Sequence, residues 1–75
     1  MNFQTKIGFR IKEIRTMKGM TQEDVAFKAD IDRTFMNHVE RGKRNISINT
    51  LEKITNALTV SLKDFFDAEL FIVTV

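Results

Sequence analysis

The sequence predicts an all-α fold in which five short helices form one domain of 75 residues. Apolar residues recur at intervals of three and four in successive segments, the spacing that gives a helix a single apolar face. Side chains able to cap a helix precede these segments, and the chain contains no proline. Because no internal repeat or low-complexity linker divides the sequence, residues 1–75 are expected to form a single domain.

The first helix is predicted over residues 3–18. Charged side chains fill many of the positions between its apolar residues, which recur every three or four positions and are Phe3, Ile7, Ile11 and Ile14. Gly19 follows the helix and is expected to end it. The apolar residues are therefore expected to face the core.

The stretch from Thr21 to Arg41 is predicted to form two short helices joined by a tight turn, supported by the rest of the chain. Thr21 and Asp24 form a helix-start signal, since the hydroxyl and the carboxylate can each satisfy a backbone N–H. This second helix should end near Asp30. Ile31 is the only apolar residue of the turn, so it is expected to point inward between the two helices.

The third helix, capped by Asp32, separates into two faces at about 100° per residue. One face is apolar and contains Phe35, Met36 and Val39; the other is polar and contains Arg33, Thr34, Asn37, His38 and Arg41. Arginine can bind guanine, asparagine can bind adenine, and threonine can hydrogen-bond to a base or contact a thymine methyl. The polar face is thus a candidate for reading DNA bases. An ordinary solvated face is the alternative, because any amphipathic helix has one.

The C-terminal part of the chain predicts two further helices. Ser47 can cap a fourth helix, whose apolar residues are expected in the core and are Ile48, Leu51, Ile54 and Leu58. Ser61 and Asp64 repeat the capping signal and open a short fifth helix. Phe65 and Phe66 are adjacent and cannot face the same side of this helix, so one is expected in the core and the other at a subunit interface.

The tail, residues 70–75, reads LFIVTV and carries no charge. Three conformations stay open: an extension of the fifth helix, a short strand paired with a symmetry-related chain, or a segment packed across a dimer seam. An uncovered apolar end would promote aggregation, which favours its burial against a partner.

Positive charge is concentrated in two segments although the net charge is only +2. Residues 1–20 carry five lysines and arginines against one acid, and residues 33–45 carry four against one. Residues 21–32 and 46–75 are acidic overall. This distribution is typical of a protein that turns one face to nucleic-acid phosphates, although a charge run alone is usually a solvated surface.

The composition argues against catalysis, metal binding and membrane insertion. There is no cysteine, His38 is the only histidine, and three scattered glycines form no phosphate-binding loop. No apolar run approaches the ~20 residues of a membrane span, and charged residues interrupt the N-terminus, unlike a signal peptide. We therefore expect a cytoplasmic protein that is not an enzyme and has no cofactor, metal or membrane partner.

Several residues and one long segment resemble a known family. They are Gln22, Ala26, Ile31, Met36, Val39 and ERGKRNISINTLEKITNAL, and they resemble the helix-turn-helix domain of phage repressors and Xre-type regulators. The string DRTFMNHVERGKRNISI resembles the controller proteins of bacterial restriction-modification systems. The resemblance covers roughly residues 6–66. One departure is Asp30, where the family often has glycine, but aspartate tolerates a left-handed backbone better than most residues.

The resemblance implies a repressor-like domain that binds a palindromic operator in double-stranded DNA as a homodimer. Base contacts are expected from Arg33, Thr34, Asn37, His38 and, if its ring is not in the core, Phe35. DNA backbone contacts are expected from Thr21, Gln22, Arg41, Lys43 and Arg44. The resemblance also implies a structural ion pair between Arg15 and Glu40. Residues 61–75 are expected to contribute to the dimer interface, through Phe65, Phe66, Leu70 and Phe71.

The function expected from the resemblance is control of transcription from the protein's own promoter and that of a neighbouring endonuclease gene. Glu23 and Asp24 could contact RNA polymerase, or could serve only as a cap and its neighbour. Two alternatives to a controller stay open. An antitoxin would use the apolar tail to bind a toxin, and a small helical adaptor would bind only protein.

Overall fold

The computed structural model describes residues 1–72, which form five α-helices and a short 3-10 turn with no β-strand. The helices are α1 Phe3–Met17, α2 Gln22–Ala29, α3 Arg33–Glu40, α4 Ile48–Ala57 and α5 Leu62–Phe66, followed by the 3-10 turn Glu69–Phe71. The predicted all-α class and helix order are confirmed. No helix among the described residues is long and apolar enough to cross a membrane.

Each α-helix begins at a side chain that accepts a hydrogen bond from a backbone N–H of the first turn. The five caps are Asn2, Thr21, Asp32, Ser47 and Ser61. Such a cap satisfies one of the backbone donors that a helix start leaves without an intrahelical partner. Four of the five were expected from the sequence, and Asn2 was not.

Left-handed residues end the first three helices and turn the chain. Asp30 has φ 57°, as expected for the position where the family often has glycine, and Gly19 and Gly42 have φ 69° and 72°. The N–H of Ile31, the residue after Asp30, donates to the Ala26 carbonyl at 3.0 Å, so the turn between α2 and α3 starts directly from the helix end.

The core lies where α1 packs on α3 and α2 packs on both α3 and α4. Its buried apolar residues come from all five helices and the end of α4 and are Ile7, Ile11, Ile14, Val25, Ala26, Ala29, Met36, Val39, Ile54, Ala57, Leu58 and Phe65. Ile31 packs against this core, as expected. The expectation for Ile48 was wrong: its side chain is 84% exposed because it stands in the first turn of α4, ahead of the buried stripe. Phe3 is 62% exposed at the start of α1.

Arg10 of α1 holds the end of α5. Its Nε donates to the Phe65 carbonyl at 2.7 Å and its Nη2 to the Asp64 carbonyl at 2.9 Å. The Phe65 carbonyl belongs to the last turn of a helix, where no intrahelical partner is available. The Asp64 carbonyl also accepts a hydrogen bond from the Asp67 N–H at 3.2 Å. Nη1 also pairs with Glu13 at 2.8 Å. The interaction fixes the position of the C-terminal segment on α1.

The tail forms neither an extension of α5 nor a strand up to Ile72. Asp67 and Ala68 leave the helix, and Glu69–Phe71 form a separate 3-10 turn. The last three positions of the LFIVTV segment, residues 73–75, lie outside the described residues.

Candidate nucleic-acid interface

The polar side chains of α3 lie on the side away from the core. Arg33 and Thr34 are exposed in the first turn, Asn37 and His38 are half-buried, and Arg41 is exposed at the C-cap. The opposite face is closed by fully buried Met36 and Val39. The predicted separation of α3 into two faces is therefore observed. Part of the polar face, together with α2, lines one shallow concavity formed by Gln22, Arg33, Thr34 and Asn37.

Phe35 lies at the border between the two faces of α3. Its half-buried ring packs against the core, and the guanidinium carbon of Arg44 lies 5.8 Å above the ring centroid. This distance allows a cation–π interaction. The ring thus belongs partly to the core, and only its outer portion is available to a base.

The Arg15–Glu40 ion pair joins α1 to the end of α3. The guanidinium donates two hydrogen bonds, Nε to Oε2 and Nη2 to Oε1 at 2.9 Å, and Nη1 donates to the Met20 carbonyl at 3.2 Å. The Glu40 side chain is only 2% exposed. The hydrogen bond to this carboxylate raises the pKa of the Arg15 guanidinium. A buried carboxylate is costly unless it is paired, so Arg15 makes this position of Glu40 possible.

Gln22, the first residue of α2, bridges this ion pair and the polar face of α3. Its Nε2 donates to Oε1 of Glu40 at 3.0 Å, and its Oε1 accepts a hydrogen bond from Nδ2 of Asn37 at 3.2 Å. Gln22 was expected to contact a DNA phosphate. In the free protein both ends of its amide are already engaged, which leaves one Nε2 hydrogen available for that contact.

The predicted capping box at the start of α2 is present in both halves. The Asp24 N–H donates to the Thr21 hydroxyl at 3.0 Å, and the Thr21 N–H donates to the Asp24 carboxylate at 2.9 Å. The hydrogen bonds from the Thr21 N–H and side chain lower the pKa of Asp24. The backbone N–H and the hydroxyl of Thr21 are thus both engaged with Asp24, and a phosphate contact from Thr21 would require its hydroxyl proton to turn away from that carboxylate.

The loop after α3 presents exposed Lys43, Arg44 and Asn45. The Lys43 N–H donates to the His38 carbonyl at 2.9 Å, which ties the loop to the last turn of α3. At the other side, the Gln4 amide of α1 donates a hydrogen bond to the Asn45 side chain. The basic side chains are thus presented from a loop anchored at both sides.

Phe65 corrects one expectation for the dimer interface. It is fully buried within the subunit, beneath the other C-terminal aromatic rings, and is unavailable to a partner. The adjacent Phe66 is half-buried, so the two phenylalanines divide as expected between core and surface. Phe66 lies 4.9 Å from Phe71 and 6.4 Å from Phe3, measured between ring centroids. We call Phe3, Phe66 and Phe71 the aromatic cluster.

Several long-range polar contacts were not predicted. They include the bonds from Asn37 to Gln22, from Gln22 to Glu40, from Gln4 to Asn45, from Lys18 to Thr59 and from Arg10 to the end of α5. Single polar side chains that meet across helices have no periodic pattern, so only the spatial arrangement identifies them. Among residues 1–72 there is also no group of three or more histidine, aspartate or glutamate side chains that could hold a metal ion.

A comparison with protein families matches residues 11–65 to the helix-turn-helix family HTH_3. The chain belongs to this family. The match covers α2 and α3, the two helices whose turn contains left-handed Asp30, and most of the helices packed around them. The resemblance noted from the sequence is confirmed.

The chain is similar to controller proteins of restriction-modification systems. Control protein C.BamHI of Bacillus amyloliquefaciens is 42% identical over 67 residues, which are 88% of this chain and 83% of that protein. Controller protein C.Esp1396I, solved bound to a 25 base pair operator site, gives a TM-score of 0.84 at 46% identity over 89% of this chain and 88% of that chain. The same controller, solved as a tetramer with its natural 35 base-pair operator, gives a TM-score of 0.84. The two chains are 47% identical, over 89% of this chain and 90% of that chain.

Proposed function

We propose that the protein is a sequence-specific DNA-binding transcription regulator of the restriction-modification controller type, and not an enzyme. The observation that carries this proposal is the exposed polar face of α3 in a helix-turn-helix unit. Arginine, threonine and asparagine on that face offer the donors and acceptors that distinguish bases in the major groove. Operator binding by a controller of the same fold and 46% identity supports it.

We assign α3 to the major groove and its neighbours to the phosphates. Arg33, Thr34, Asn37 and His38 would contact base edges, with the outer part of Phe35 near a thymine methyl. Contacts to the DNA backbone would come from Thr21, Gln22, Arg41, Lys43 and Arg44. Such backbone contacts set orientation, whereas base contacts set sequence preference.

We assign the active form to a homodimer on a palindromic operator. In a dimer with two-fold symmetry, the α3 helices of the two subunits, which are the recognition helices, contact half-sites about 34 Å apart, one turn of the duplex. The half-exposed aromatic cluster and Leu70 supply an apolar surface for this contact. The tetramer of C.Esp1396I on its operator supports cooperative binding of two dimers to adjacent sites.

The proposed targets are the promoter of the protein's own gene and that of a neighbouring endonuclease gene, in the cytoplasm. The test is a fluorescence-anisotropy titration with the DNA upstream of its gene and with a scrambled duplex, each at low and near-physiological salt. We expect tight binding to the upstream DNA only, weakening with salt as counterions are released from neutralised phosphates. Equal and weak binding to both duplexes would contradict the proposal and favour a protein-binding role.

The division between base and phosphate contacts predicts different effects of two substitutions. Arg33→Ala should cost about 1–3 kcal/mol of binding free energy and relax preference at one base pair, whereas Lys43→Ala should weaken binding to all sequences alike. Anisotropy titrations with operator duplexes that differ at single base pairs would measure both. If both variants lowered the affinity for all operator duplexes equally, the assignment of Arg33 to a base and Lys43 to a phosphate would be contradicted.

We further propose that Glu23 contacts RNA polymerase when transcription is activated. Glu23 is exposed at the start of α2, whereas the neighbouring Asp24 is held by the capping box. Glu23→Gln should reduce activated transcription in vitro and leave DNA affinity unchanged. Unchanged activation would limit Glu23 to a helix-start role.

A further inference from the structure

A chain of hydrogen bonds runs from the interior of the domain to the polar face of α3. It begins at Arg15 on α1, passes through the Glu40 carboxylate and Gln22, and ends at Asn37 on α3. The successive donor–acceptor distances are 2.9, 3.0 and 3.2 Å. Glu40, with a side chain only 2% exposed, is its most buried member, and from there the chain leads outward through Gln22 to half-buried Asn37 on the polar face of α3.

The ion pair dictates the direction of every hydrogen bond in this chain. A carboxylate paired with arginine can only accept, so Gln22 must turn its NH2 group toward Glu40. The Gln22 carbonyl oxygen then faces Asn37, and Asn37 must donate a hydrogen bond to it from its own NH2 group. A reversed Asn37 amide would place two carbonyl oxygens against each other, beside a carboxylate that is already shielded from water. The arrangement therefore has a single favourable polarity.

We propose that Gln22 is a positioning residue that transmits the acceptor character of buried Glu40 to Asn37 and thereby fixes the orientation of the Asn37 amide. This inference rests on the proposed function. In the fixed orientation, Asn37 retains its carbonyl oxygen and one N–H, and adenine needs this combination at N6 and N7. The preference for adenine at one operator position is thus set by residues of three helices.

The test compares Gln22→Met, Asn37→Ala and the double variant. Methionine keeps the length of glutamine and removes both hydrogen bonds. The first probe is a duplex that the wild-type protein selects from a random-sequence pool. The other three probes carry the three possible substitutions at one base pair of this duplex, the base pair that Asn37→Ala no longer discriminates. Gln22→Met should reduce discrimination at that same base pair by about 5- to 150-fold. The double variant should lose no more discrimination than Asn37→Ala alone, since both changes remove the same base-reading interaction. Loss of the phosphate contact assigned to Gln22 lowers affinity for all four duplexes alike and leaves the discrimination unchanged.

Lys43→Ala serves as the control for a phosphate contact, and it should lower the binding affinity equally for all four duplexes. If Gln22→Met lowered affinity equally on all four duplexes, Gln22 would act on the DNA backbone alone and the inference would be overturned. A loss of discrimination that added fully to that of Asn37→Ala would also overturn it, because Gln22 would then not act through Asn37. Circular dichroism and thermal melting of each variant would show that the domain remains folded.

A measurement without DNA separates this inference from the regulator proposal. In nitrogen-15 spectra of the free protein, Gln22→Met should shift the side-chain amide resonances of Asn37, and unchanged resonances would overturn the inference. A wild-type protein that selected no sequence from the pool would instead overturn the regulator proposal, and the readout role with it. Because the spectral test needs no operator, it remains decisive even if Gln22→Met weakens binding too far for titration.

Discussion

At the scale of single residues, Gly8 determines how closely α1 approaches the end of α3. A Cβ atom at this position would lie 2.4 Å from the Val39 carbonyl oxygen and 2.6 Å from that of Glu40. These are backbone atoms, which cannot rotate away as a side chain can. Only glycine therefore allows the backbone of α1 to lie on the last turn of α3, where the Arg15–Glu40 pair then forms.

Gly8→Ala is expected to destabilise the domain despite the higher helix propensity of alanine. The inserted methyl group must push α1 away from α3, and such overpacking costs about 1–3 kcal/mol of unfolding free energy. Urea denaturation followed by circular dichroism would measure the loss. Thr16→Ala, on the exposed side of α1, is the matched control and should change the unfolding free energy by less than about 0.5 kcal/mol. Equal stability of the two variants would contradict the close approach.

At the scale of helices, the capping box shows how α2 depends on a charged side chain. The Asp24 carboxylate accepts the Thr21 N–H, and this bond lowers the pKa of Asp24. A carboxyl with a lower pKa in the folded state stabilises that state at pH values above its unfolded pKa, about 3.9. This stabilisation is lost as the pH falls through the lowered pKa of the folded state.

Asp24→Asn should therefore reduce stability at pH 7, and the difference from wild type should shrink as the pH falls below about 3.9. At that end of the range the wild-type carboxyl becomes protonated and loses its advantage as an acceptor. Urea melts at pH 7 and near pH 2 would measure both differences. Glu23→Gln removes a charge from the same helix turn and is the control. A stability gap independent of pH would show that the carboxylate charge does not strengthen the cap.

At the scale of the whole molecule, a small domain leaves apolar surface uncovered at its C-terminal end. A chain of 75 residues buries a limited core, and its aromatic cluster remains half exposed where Arg10 holds the end of α5 on α1. Pairing with a second copy would cover this surface and also align two recognition helices. The same contact would then serve stability and operator binding.

Leu70→Glu is expected to convert the proposed dimer into a monomer, because a charge would enter the apolar contact. Operator affinity should fall by about 100-fold or more, since each half-site would then be bound separately. Sedimentation velocity would give the oligomeric state, and anisotropy the affinity. Phe27→Glu is the control, since Phe27 is an 86% exposed phenylalanine of α2 outside the aromatic cluster. A dimer that survived Leu70→Glu would place the interface elsewhere.

Local sequence patterns predicted the helices and the two faces of α3. Four caps and most buried residues follow from interactions within a few residues along the chain. The left-handed backbone at Asp30 was expected from the family resemblance. Ile48 and Phe3 show where this reasoning fails, since an apolar residue in the first turn of a helix can lie ahead of the buried stripe. The Arg15–Glu40 pair was accessible only through family resemblance.

The sequence by itself determined the class of fold, the positions of the helices and the polar face of α3, because capping and periodicity are local properties of the chain. The tertiary structure decided which side chains meet across helices: the backbone of Gly8 on α3, Arg10 on α5, and Gln22 between Glu40 and Asn37. The physical reason is that a hydrogen bond or a close backbone approach depends on positions to within a fraction of an ångström. Only the packed arrangement of all the helices sets positions to that precision.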